Sequence, residues 1–86
     1  MYIDLGNDHV VPVDEIVAIM DSNSALSSED NHKIIVEFEK NGDMIYCSHQ
    51  NFIKSYVLCE GIHGKKIYSC SFGTKLLKDR LISPII

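Results

Sequence analysis

An uninterrupted apolar run at residues 16–20, Ile-Val-Ala-Ile-Met, is the feature that most constrains the fold of this chain. Its β-branched composition predicts a strand, and Glu15 and Asp21 flank it. Because successive side chains of a strand point to opposite faces, both faces of this strand are apolar. We therefore expect the domain core to cover one face, and a helix or a neighbouring subunit to cover the other.

Turn residues divide the rest of the chain into short elements. Ser22-Asn23-Ser24 predicts a loop, and the following helix, at residues 28–41, begins where Ser27 or Ser28 can cap it. Further strands are predicted at residues 2–5, 9–11, 44–47, 53–60 and 66–71. A second, short helix is predicted around Leu77 and Leu81. The order β-β-β-α-β-β-β-α indicates an α+β domain with a small, mostly antiparallel sheet, one central amphipathic helix and a short C-terminal helix.

Length and cysteine content indicate the number of domains and the cellular compartment. With 86 residues the chain is expected to be a single domain over residues 1–86 with little surface to bury, so subunit association is a natural source of stability. Three cysteines do not fit an even disulfide framework, and no apolar run approaches the roughly 20 residues of a membrane span. These features predict a cytoplasmic protein with no membrane partner.

Charge is distributed unevenly along the chain. Residues 1–43 hold ten acids and two bases, for a net charge of −8, whereas residues 44–86 hold two acids and six bases, for +4. This asymmetry predicts one acidic and one basic face if folding keeps the halves apart, although scattered solvated charges would give the same count. The net charge of −4 argues against strong nonspecific binding to nucleic acid.

No spacing in the chain predicts catalysis or a cofactor. Cys47 and His49 lie two apart on a predicted strand, and Cys59 and His63 bracket a turn, but neither pair supplies the four converging ligands of a structural zinc. A nucleophilic cysteine also needs an orienting group and an oxyanion site. We therefore expect buried thiols, no metal, no small-molecule substrate and no enzymatic activity.

The basic second half predicts a nucleic-acid contact instead. Lysines or an arginine lie at a hairpin tip, at the end of a polar loop and on the last helix, and amides lie within that loop. Such groups can meet phosphates from a loop and a helix together. The candidates are Lys54, Lys65, Lys66, Lys75, Lys78, Arg80, Gln50 and Asn51. Tyr56, Tyr68 and Phe72 are available for stacking, although aromatic residues at such positions are more often part of a core.

The order and spacing of several short motifs resemble the RemA/RemB family of extracellular-matrix (biofilm) regulatory proteins, and RemB-type members in particular. The motifs run nearly from end to end: Met1-Tyr2-Ile3-x-Leu5-Gly6-x-Asp8-x-Val10-Val11, Ile16-Val17-x-Ile19-x-Asp21, Lys54-Ser55-x-Val57, Ile67-Tyr68-x-Cys70-Ser71 and Thr74-x-Leu76-x-Lys78-x-Arg80. The resemblance implies a cytoplasmic transcriptional regulator with a domain similar to LytTR-type DNA-binding modules. It also implies a closed ring of identical subunits that binds double-stranded DNA.

A ring agrees with the apolar surface that the sequence predicts. The residues expected to lie between subunits are Ile16, Val17, Ile19, Ile85 and Ile86. At two places where the resemblance implies arginines, this chain has Asp14-Glu15 and Gln50-Asn51. Two functions are therefore open: a DNA-binding regulator acting as a homo-oligomeric ring, or a ring-forming protein-interaction module that no longer binds DNA.

Overall fold

A computed structural model describes residues 1–82 as an α+β fold, as predicted. The strands are β1 (Tyr2–Gly6), β2 (His9–Pro12), β3 (Ile16–Asp21), β4 (Met44–Tyr46), β5 (Ser55–Gly61) and β6 (Gly64–Cys70). The helices are α1 (Ser22–Ser27), α2 (Glu29–Lys40) and α3 (Thr74–Ile82), and short 3-10 turns occupy Val13–Glu15 and Gln50–Phe52. Within the described part, no helix is long and apolar enough to cross a membrane.

The strands form two sheets. β1 and β2 make an antiparallel hairpin, whose turn places Asn7 and Asp8 at positive φ of 51° and 64°. This pair of left-handed residues gives the twist that a tight hairpin requires. The other four strands lie in the order β3-β5-β6-β4, antiparallel except that β4 runs parallel to β6. The predicted mostly antiparallel sheet is therefore confirmed, with the hairpin as a separate ribbon.

The predicted central helix is confirmed as α2. Ser28 caps it, since its hydroxyl accepts a hydrogen bond from the Asn31 amide at 3.4 Å. Ile35 and Phe38 pack inward, whereas the neighbouring Ile34 is 42 % exposed. The inward face of this amphipathic helix is therefore narrow.

The loop predicted at residues 22–24 is wrong, because Ser22–Ser27 forms the short helix α1. Asp21 caps it, and its carboxylate accepts hydrogen bonds from the amides of Asn23 and Ser24 at 3.1 and 3.2 Å. Ala25 of α1 is fully buried beside Ile35. A strong cap and one buried contact therefore outweigh the weak helix propensity of serine and asparagine.

Both faces of the four-stranded sheet are covered within the chain. On one face the hairpin and α3 pack over the sheet, and the buried residues are Ile3, Leu5, Val11, Cys47, Val57, Cys59, Cys70 and Leu77. On the other face α1 and α2 pack around Ala25, Ile35, Tyr56 and Ile67. The apolar run of β3 contributes to both, since Ile16 and Ile19 join the first cluster and Met20 joins the second. Helices of the same chain thus cover the second face of the sheet, one of the two possibilities that the apolar run predicted.

Candidate nucleic-acid interface

The polar loop between β4 and β5 is held at both ends. At its start the Cys47 amide donates to the Ser69 carbonyl at 2.9 Å. At its end the Lys54 amide donates to the Cys70 carbonyl at 2.7 Å, and the Lys54 carbonyl accepts from the Ser22 amide at 3.0 Å. Within the loop, His49 caps the 3-10 turn through its Nδ1, which accepts from the Asn51 amide at 3.2 Å. The loop is therefore a defined surface with fixed ends.

The exposed side of this loop forms a shallow pocket of about 430 Å³. It is lined by Ser48, Asn51, Phe52, Ile53, Lys54 and Ser71. Phe52 is 65 % exposed, and its ring leans on the imidazole of His49 with 5.9 Å between the ring centroids. An ammonium group, an amide, hydroxyls and an exposed aromatic ring thus lie together, which is a combination suited to phosphate, sugar and base.

Gln50 does not line this pocket. It lies near Tyr46, whose phenol donates to the Glu39 carboxylate at 2.9 Å. Partial burial and then Glu39 raise the pKa of Tyr46, while Gln50 opposes that shift. Of the two predicted loop amides, Asn51 lines the pocket, whereas Gln50 lies outside its lining near Tyr46.

The last helix adds two exposed lysines near the same end of the sheet. α3 begins at Thr74, three residues after Ser71 of the pocket. Lys75 and Lys78 are exposed and lie three positions apart, so they share one side of the helix. Lys54, Lys75 and Lys78 are the predicted cations that remain open to solvent at this end.

The predicted cations at the β5–β6 hairpin tip lie at the opposite end of the sheet. β5 runs for six residue steps from Ser55 to Gly61, so the tip is about 20 Å from the loop. Lys66 Nζ forms an ion pair with Asp43 at 2.7 Å, and Lys65 is the register partner of Glu60. The Glu15 carboxylate also lies here, since a Cβ at Gly61 would be only 2.5 Å from its Oε1. Acids therefore balance the cations of the tip.

Arg80 is engaged within the domain. Its Nη1 donates to the Asp4 carbonyl at 2.8 Å, and its guanidinium carbon lies 4.4 Å from the centroid of the Phe72 ring. Among the aromatic candidates, Tyr56 is buried, and Tyr68 and Phe72 pack against the core. The residues predicted to contact nucleic acid thus fall into three groups. One lies on the polar loop and α3, one lies at the hairpin tip beside acidic residues, and one packs within the domain.

The residues predicted to lie between subunits have mixed environments. Ile16 and Ile19 are half-buried against the core of their own domain, whereas Val17 is 58 % exposed at a bulge of β3. Ile85 and Ile86 lie outside the described residues. In the described part of the chain, β3 pairs on one side only, with β5, so its other edge is open.

A sequence model of the RemA-like family, described as extracellular matrix regulatory protein A-like, matches residues 2–81. The chain belongs to the RemA-like family. No curated protein matches the chain significantly. The family match covers the hairpin, the sheet, the polar loop and α3 almost to its end, so the loop and helix described above belong to the family's domain.

Phe52 was missed by sequence reasoning about this RemA-like chain. Tyr56 and Tyr68 lie within predicted strands and Phe72 directly follows one, whereas Phe52 follows four polar residues, Ser48-His49-Gln50-Asn51. An aromatic residue that continues a polar loop is a signal for exposure and contact. That position in the sequence was sufficient to include Phe52 among the candidates.

Proposed function

We propose that this RemA-like protein is a cytoplasmic, DNA-binding transcriptional regulator of extracellular-matrix genes that acts as a homo-oligomeric ring. We further propose that it is closest to RemB-type members. In this proposal the loop of residues 48–54 and the first turns of α3 form the face that meets double-stranded DNA, and the protein is not an enzyme.

The observation that carries the proposal is the pocket shared by Lys54, Asn51 and Phe52. Lys54 supplies a positive charge for a phosphate, and Asn51 supplies an amide that hydrogen-bonds a phosphate or a base edge. Phe52 supplies apolar area for a sugar or a base. All three are exposed on a loop whose two ends are both hydrogen-bonded to β6, so little conformational entropy is lost on binding.

Ring formation would compensate for the small number of cations per subunit. Each subunit offers three exposed lysines at this end of the sheet, and the net charge of the chain is −4. Repeating the face around a ring multiplies the contacts along one duplex without new chemistry. The open edge of β3 and the exposed Val17 beside it support association, because a bare strand edge with apolar surface invites pairing.

A specific observation favours the second function, a ring-forming protein-interaction module that does not bind DNA. At the hairpin tip, Asp43, Glu15 and Glu60 offset Lys65 and Lys66. An acidic surface at this end would repel a duplex that extended across the whole sheet. Under this alternative, protein partners or other family members would occupy the loop face.

A gel-retardation series with the promoter DNA of a matrix operon separates the two functions. Light scattering on the same sample first establishes the oligomeric state. We expect an oligomer that retards DNA at low salt and binds it less tightly as the salt concentration rises. The logarithm of its association constant should fall by about 0.9 per phosphate contact for each decade of salt. An oligomer that retards no DNA at low salt would favour the interaction module, and a monomer at micromolar concentration would remove the ring from both.

A further inference from the structure

Two of the three cysteines lie side by side at the base of the polar loop. β4 runs parallel to β6 with Tyr46 opposite Ser69, and the Cys47 amide donates to the Ser69 carbonyl at 2.9 Å. This bond continues the parallel pairing by one residue and brings Cys47 beside Cys70. Both side chains belong to the same buried cluster. Adjacent strands lie about 4.8 Å apart, within the range of about 4.4–6.8 Å that disulfides span between Cα atoms.

The two thiols also affect each other's protonation. The interaction with Cys70 lowers the pKa of Cys47 below its ordinary value, whereas the interaction with Cys47, together with burial, raises the pKa of Cys70 far above its own. Cys47 is therefore the better nucleophile of the pair, and Cys70 keeps its proton. Cys59 has no thiol opposite it, since its register partners are Ile16 and Lys66.

We propose that Cys47 and Cys70 are a modification site, at which peroxide forms a reversible disulfide that ties the start of the DNA-contacting loop to β6, at the residue whose carbonyl holds the loop's other end. The Cys47 thiolate attacks one peroxide oxygen and the O–O bond breaks. The second oxygen leaves as water, and Cys47 becomes a sulfenic acid. The Cys70 sulfur then attacks the Cys47 sulfur, and the sulfenic oxygen leaves as a second water with the Cys70 proton. Two thiols are oxidised by two electrons, and one peroxide is reduced to two waters.

A disulfide between Cys47 and Cys70 would restrain the loop of residues 48–54. Cys47 immediately precedes residues 48–54, and the Cys70 carbonyl accepts the amide of Lys54, the last residue of that segment. A disulfide would therefore fix the start of the loop covalently to Cys70, the residue to which the end of the loop is hydrogen-bonded. Both thiols are almost fully buried, so reaction requires fraying of β4, an edge strand of three residues. The disulfide itself does not depend on DNA binding, whereas the DNA-contacting role of the loop rests on the proposed function.

Peptide mapping of the full-length protein tests the linkage without DNA. Trypsin places each cysteine in a separate peptide, with Cys47 in residues 41–54, Cys59 in 55–65 and Cys70 in 67–75. After treatment with hydrogen peroxide and alkylation of free thiols, we expect peptides 41–54 and 67–75 to be joined, Cys59 to be alkylated, and dithiothreitol to release the pair. A link that contains Cys59 would overturn the proposal. Alkylation of all three cysteines in the folded protein, under conditions that oxidise the protein unfolded in urea, would also overturn it.

Matched variants separate the site from general oxidation. Cys59→Ser should keep the 41–54 to 67–75 link, whereas Cys47→Ser and Cys70→Ser should each abolish it. Hydrogen exchange then reports the loop directly, and we expect amides of residues 48–54 to exchange more slowly in the oxidised protein. Equal exchange in both forms would overturn the effect on the loop. If the linkage and slower exchange appear and DNA is still not bound, the modification site stands and the proposed function fails.

Discussion

Arg80 of α3 lies over the ring of Phe72, with 4.4 Å between the guanidinium carbon and the ring centroid. The same guanidinium donates to the Asp4 carbonyl of β1 at 2.8 Å, so one side chain connects the last helix, the end of β6 and the N-terminal hairpin. The prediction that Arg80 binds nucleic acid stays a prediction, but its contacts assign it first to holding the domain together.

Arg80→Ala should therefore affect stability. Loss of a cation–π contact and of a charged hydrogen bond is expected to lower the free energy of unfolding by about 1–2 kcal/mol. Urea unfolding followed by circular dichroism measures this, with Lys78→Ala as the matched control from the exposed side of α3, expected to change it by less than about 0.5 kcal/mol. Equal midpoints for the two variants would contradict the role given to Arg80.

The adjacent leucines of α3 offer a second matched pair. Leu77 is fully buried and Leu76 is 43 % exposed. Leu77→Ala leaves a cavity beneath the helix and should cost about 2–5 kcal/mol, whereas Leu76→Ala should cost under about 1 kcal/mol. Thermal melts of the two proteins measure the difference. Similar melting temperatures would mean that α3 is not packed on the sheet as described.

Much of the fold follows from local sequence signals. The hairpin turn at Asn7-Asp8, the Ser28 cap and the apolar run of β3 are each specified by a few neighbouring residues. In contrast, α1 depends on the contact of Ala25 with α2. The parallel pairing of β4 with β6 brings together residues more than twenty positions apart. Neither is encoded in a local pattern.

The site was predictable to a similar degree. Residue type and loop position identified Lys54 and Asn51, but the sequence could not show that Asp43 pairs with Lys66 or that Arg80 reaches Asp4. These partners are 23 and 76 residues away in sequence. A count of lysines and arginines treats all six cations alike, whereas long-range contacts decide which of them are free.

The turn of the β5–β6 hairpin provides a test of backbone conformation. Gly64 has a φ of +99°, which disfavours any residue with a Cβ, whereas Gly73 has no such constraint and has open space around it. Gly64→Ala is expected to lower stability by about 1–2 kcal/mol through backbone strain alone. Gly73→Ala should be close to neutral. Denaturant midpoints compare the two, and a neutral Gly64→Ala would contradict the described turn.

Alkaline pH should destabilise the protein through Cys59. Burial, followed by the charges of Glu15 and Cys47, raises the pKa of Cys59 from 9.0 to about 11. Below pH 9 the thiol is neutral in both states, so its contribution is fully present. Between pH 9 and 11 the unfolded chain loses a proton that the folded chain keeps, so stability falls, by an amount on the order of 2 kcal/mol.

Urea unfolding at pH 8 and pH 10.5 measures this loss. Cys59→Ser removes the titrating thiol, so its stability should fall less between the two pH values. A smaller loss remains in that variant, because burial also raises the pKa of Tyr56 and Tyr68. Identical losses in the two proteins would show that Cys59 does not titrate as described.

We propose that the loop at residues 48–54, and not the hairpin tip, meets DNA. Charge reversal at one exposed lysine in each place tests it: Lys54→Glu in the loop and Lys65→Glu at the tip have the same net charge. Fluorescence anisotropy with promoter DNA, on samples of equal oligomeric state, measures both affinities. We expect Lys54→Glu to weaken binding by about tenfold or more per ring and to make it less dependent on salt, while Lys65→Glu has little effect. Equal losses, or a greater loss for Lys65→Glu, would contradict it.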